Sequence, residues 1–101
     1  MNKQDFRPDT RCSISWRNPQ GRVQAANVYV FKVCERFLIG RLAGDDALLH
    51  RIDYADVLKV VAVTDVAPAE RYALPAAMTD EASWQDRVVM QHYATSPRRG
   101  K

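Results

Sequence analysis

Polar and apolar residues alternate over Arg11–Arg17: Cys12, Ile14 and Trp16 fall on one side, and Arg11, Ser13, Ser15 and Arg17 on the other. A period of two marks a strand with one covered face. Asn18-Pro19-Gln20-Gly21 follows with turn chemistry, a proline of fixed φ and a glycine that tolerates a positive one. Arg22–Cys34 is rich in β-branched and aromatic residues. There Val23, Ala25, Tyr29, Phe31 and Val33 share a parity with Asn27, while Arg22, Gln24 and Lys32 lie on the other beside Val28 and Val30. The contrast fades over Val28–Phe31, which predicts either two covered faces or a bulge that changes the register.

Glu35-Arg36 reads as a tight reversal into a third strand over Phe37–Leu42, with Gly40 as a bend. Gly44-Asp45-Asp46 signals a second hairpin that returns into Ala47–Ile52. Asp53 is placed to cap a single helical turn over Tyr54–Asp56. Val57–Val63 resumes the strand signal, with Leu58, Val60 and Ala62 set against Val57, Lys59, Val61 and Val63. Beyond Thr64, Pro68 and Pro75 bracket an irregular strap or short helical turn. From Asp80 the residues favour helix: acids open the first turn, and no proline or glycine intervenes before Pro97. Trp84 and Val88 form one apolar patch on that helix, and Ala82, Val89 and Tyr93 a second about 140° away.

The expected fold is mainly β with a C-terminal helix (α+β). One domain, 1–101, divides into a loose arm over 1–10 with Phe6 as its anchor, a small antiparallel five-stranded barrel or strongly bent sheet over 11–63, a strap over 64–79, a helix over 80–94 and a basic tail over 95–101. Five strands, a short turn at Asp53–Asp56 and a late helix make the element order similar to that of SH3-like, Sm-like and PH-like barrels. The similarity rests on element order alone, without a family motif, and implies a fold but no function.

Charge sharpens the picture more than composition does. A chain of 47% hydrophobic and 27% charged residues is ordinary for a globular domain. Its net charge of +3, however, divides into +5 over residues 11–41, −6 over 42–86 and +4 over 87–101. Such asymmetry bears on partners and association. Apolar runs stay within about six residues, far short of the roughly 20 needed to span a membrane. With no apolar signal at the N-terminus, a cytoplasmic protein that does not enter membranes is expected. Cys12 and Cys34 are the only cysteines and fall among apolar residues, so they read as small buried hydrophobes rather than a disulfide or a reactive thiol.

Catalytic signals are faint. His50, Asp53, Tyr54 and Asp56 are close enough in sequence to suggest acid–base chemistry, but a cap and a turn residue account for the two aspartates. Cys12, Cys34, His50 and His92 contain no paired ligand motif, so no metal is expected. No nucleophile elbow or phosphate-binding glycine loop is present, and no cofactor follows. The expectation is a non-enzymatic binding module. Protein partnership or self-association comes first, with Trp84, Met90 and Tyr93 as interface residues of types enriched at interface centres. The alternative is a nucleic-acid binder using Arg11, Arg17, Arg22, Lys32 and Arg41, although Trp16, Tyr29 and Phe31 share the core parity and leave those cations without stacking rings. A small enzyme centred on His50 and Asp53 is third.

Overall fold

Among the described residues six antiparallel strands make up one sheet: β1 (Thr10–Arg17), β2 (Val23–Val33), β3 (Phe37–Leu42), β4 (Leu48–Asp53), β5 (Val57–Asp65) and β6 (Val89–Gln91), in the order β5-β1-β2-β3-β4-β6. The computed structural model describes residues 1–44, 48–71, 80–85 and, for the backbone, 89–91. The β1–β2 turn forms as its residues dictate. Asn18 Oδ1 accepts from the backbone N–H groups of Gln20 and Arg22, and Gly21 adopts φ +82°. At the β2–β3 reversal the Cys34 N–H donates to the Phe37 carbonyl over 2.8 Å. Gly40 is required by close approach, since a Cβ there would lie 2.5 Å from Val28 Cγ1 and 3.0 Å from the Tyr29 carbonyl oxygen.

One face of all five long strands feeds a single cluster. Cys12, Ile14 and Trp16 meet Val28, Val30, Leu38, Ile52 and Val57, all buried. Phe6 and Tyr54 complete it with rings stacked at 5.5 Å and 12°. Phe6 is thus the anchor of the N-terminal arm, whose first residues form a capped 3-10 turn over Lys3–Asp5. Five strands laid flat would span roughly 20 Å, so burying their common face against itself requires a curved sheet. The ladder does not close, however. Among the described residues β5 and β6 are its edges, and the five-stranded barrel gives way to an open sheet with a sixth, three-residue strand.

The opposite face carries a second cluster: Cys34, Phe37, Ile39, Leu49 and Trp84, with Phe31 against it. Here the expected helix over 80–94 is overturned. Glu81–Trp84 forms one 3-10 turn and Val89–Gln91 pairs with β4, while 86–88 and 92–94 lie outside the described residues. The reason is a tertiary contact. Arg51 Nη1 donates to the Trp84 and Gln85 carbonyls, acceptors that a continuing helix would use itself. Arg51 is held in turn by Asp53 Oδ1 at 3.1 Å and lies over the Phe37 ring at 5.3 Å. Asp53 therefore pairs with Arg51 and makes no side-chain cap on the 3-10 turn Tyr54–Asp56. No helix among the described residues is long and apolar enough to cross a membrane.

Register shifts explain where alternation fails. β2 keeps its alternation against β1 up to Val30, so Val28 and Val30 face the first cluster and Tyr29 the other side, and the bulge between Val30 and Lys32 then brings Val33 to the first cluster and Phe31 to the second. Against β1, Ser13 pairs with Ala62 but Ile14 with Val60, and Ser15 with Lys59 but Trp16 with Val57. Val61 and Leu58 are the extra residues. The β5 residues opposite core positions of β1 are therefore Val57, Val60 and Val63, a spacing of three rather than two.

Candidate functional site

The outer face of the sheet is divided. Its β3–β4 half lies under Trp84, whereas on its β5–β1–β2 half Arg11, Arg17, Val23, Ala25 and Asn27 are exposed and only Tyr29 is buried. Alternation places Arg11, Ser13, Ser15 and Arg17 of β1 on that half, and pairing places Tyr29, Asn27, Ala25 and Val23 of β2 beside them. Most of these side chains are small, which leaves a shallow groove of about 300 Å3 bordered by Ser13, Ser15, Ala25, Asn27, Ala43 and Val61. Along the β5 edge the two bulge residues stand out into solvent, Leu58 48% exposed and Val61 64%, with Val63 at 38%. The strand's second bonding edge has no neighbour among the described residues.

The five cations of the nucleic-acid reading do not share one site. Arg11 and Arg41 converge, because both pair with Tyr29 across β2. Together with Asn27, Tyr29, Leu42 and Ala43 they line a cavity of about 60 Å3. Arg17 is at the other end of β1, about 20 Å away at strand rise. Arg22 sits in the turn, and Val23 rather than Arg22 pairs with Arg17. Lys32 lies at the β2 bulge opposite Ile39. Tyr29 is the surprise: it belongs to the outer face, buried, with the Arg11 guanidinium 5.5 Å from its ring centre and its hydroxyl donating to Asp9 Oδ1 over 2.6 Å.

Of the expected interface residues, Trp84 is fully buried against its own sheet. Met90 lies in β6, described only as backbone, and Tyr93 lies outside the described residues. His50 and Asp53 fall on opposite faces of β4, His50 beside Gly40 and Asp53 in its ion pair with Arg51. The Tyr54 hydroxyl is engaged elsewhere, donating to the Cys34 carbonyl over 2.7 Å, and burial pushes its pKa well above the usual phenol value. Cys12 and Cys34 are free and belong to different clusters on opposite faces. Burial raises both thiol pKa values, with a hydrogen bond to Thr10 partly offsetting it at Cys12. Among the described residues no group of three or more His, Cys, Asp or Glu is placed to hold a metal ion.

Sequence patterning missed Leu58, Val61 and Arg51. The two bulges hide the first two, and only the identity of the covering segment reveals the third. Comparison of the chain with protein-family models, with characterised proteins and with solved structures finds no match.

Proposed function

We propose that the protein is a non-enzymatic binding module that self-associates through its β5 edge. The observation that carries this reading is the exposure of Leu58, Val61 and Val63 on one edge strand. An edge strand of nine residues that exposes Leu58, Val61 and Val63 and contains no proline or glycine invites contact with another chain. The bulges at Leu58 and Val61 break up the ladder there, so side-chain packing contributes more than strand addition does.

Charge favours a second copy of this chain as the occupant. Lys59, Arg11 and Arg17 border the apolar strip, and residues 42–86 of another molecule carry a balance of −6. Basic face against acidic half is a heterologous contact, which builds rings or filaments rather than a two-fold dimer. Sedimentation at rising protein concentration tests it. The expected result is mass growing beyond the monomer at low salt and falling back as salt screens the charges. A monomer at every concentration and salt level excludes the reading.

Nucleic-acid binding is the second reading, favoured by the convergence of Arg11 and Arg41. Against it, Trp16 and Tyr29 are buried and offer no stacking surface beside those cations. Heparin retention that collapses between low and moderate salt, and is lost in Arg17→Glu, would support it over self-association.

A further inference from the structure

The cavity between Arg11 and Arg41 has a composition that neither reading above needs. We propose that it is an oxyanion site that takes a single phosphate group. Arg11 arrives from β1 and Arg41 from β3 at one register, on either side of Tyr29. Adjacent strands lie about 4.8 Å apart, so the two backbones are roughly 10 Å from each other, a span that two arginine side chains close. Both side chains line the same cavity, with Asn27 of β2 between them. Its volume of about 60 Å3 exceeds the roughly 10–15 Å3 that one bound water requires, yet holds only a group of a few heavy atoms.

Each wall contributes something an anion uses. Guanidinium groups present forked donors that match phosphate oxygens. Ser13 Oγ donates to Asn27 Oδ1 over 2.7 Å, which leaves the Asn27 amide nitrogen as a donor to the cavity. The candidate donors come from three neighbouring strands, β1, β2 and β3. Val28 and Leu42 turn their side chains to the core cluster and border the cavity from the backbone, with the exposed Ala43 beside them. Tyr29 is a positioning residue. Its ring supports Arg11, and its hydroxyl is already committed to Asp9.

The test is a titration of the full chain with inorganic phosphate, followed by backbone amide NMR, against sodium chloride at equal ionic strength. Saturable shifts are expected at Arg11, Asn27, Tyr29 and Ala43 with phosphate and not with chloride. Arg11→Gln and Arg41→Gln should each weaken binding at least about tenfold, the scale of one charge-assisted contact. Arg22→Gln, in the distant turn, should leave it unchanged. Arg41→Lys keeps the charge and serves if Arg41→Gln does not fold. A parallel titration with methyl phosphate separates the sources. Equal binding assigns the site to a phosphate monoester, and its loss assigns it to free phosphate. Shifts that never saturate, that chloride reproduces, or that survive in both arginine variants overturn the site, and equal saturation by acetate overturns the choice of phosphate.

Discussion

The two halves of the outer face belong to one sheet and meet different ends. Over β3 and β4, Phe37, Ile39 and Leu49 are sealed by Trp84, which Arg51 secures through two backbone carbonyls. Over β5, β1 and β2, small and charged side chains lie open, and the large apolar residues sit at the rim. The contrast shows that covering a sheet takes both an aromatic lid and a polar clamp to hold it. The open half has apolar residues at its rim and no such clamp among the described residues, and it is the half proposed to meet another molecule.

The largest test of that contrast removes the lid. Trp84→Ala should cost about 3–5 kcal/mol, the usual range for a fully buried tryptophan, read from the denaturant midpoint. A loss under about 1 kcal/mol would mean that the covered half is not held by this residue. Next comes Gly40→Ala, where the added methyl meets both a side chain and a backbone oxygen, with an expected cost of about 1–3 kcal/mol.

Smaller still is a pH effect shared by both clusters. Cys12 and Cys34 are held above the ordinary thiol value of 9.0, chiefly by burial, and Tyr54 above the ordinary phenol value of 10.0 for the same reason. All three favour the neutral form in the folded protein. Their contribution is complete below those ordinary values and is lost as pH rises through the higher folded ones. Stability measured by denaturant should therefore hold up to about pH 9 and decline above it, and Tyr54→Phe should remove the later part of the decline. A decline that begins on the acid side of neutrality would owe nothing to these groups.

The core half of the molecule was readable because its strands keep their period. Cys12, Ile14 and Trp16 are buried as their alternation requires, and the Asn18–Gly21 turn does what its residues dictate. The open half differs from the expectation for two reasons. In β2 the core parity is that of Val28 and Val30, in unbroken register with Cys12 and Thr10, so Tyr29 lies on the side of the arginines and supports Arg11. In β5 two bulges turn a period of two into a spacing of three and push Leu58 and Val61 outward. A bulge depends on the twist that a neighbouring strand imposes, and local sequence carries little of that. The helix failed for a related reason: Arg51, some thirty residues away in sequence, takes carbonyls that local propensity would have left to the helix.

The central claim is that the open edge is spare for folding and required for association, and the double variant Leu58→Asp/Val61→Asp tests it most directly. Both side chains are exposed, so its denaturant midpoint should stay within about 0.5 kcal/mol per site of the parent. Sedimentation at low salt and high concentration should then show a monomer where the parent chain shows larger species. A variant that is equally stable and still associates as the parent does would contradict the account.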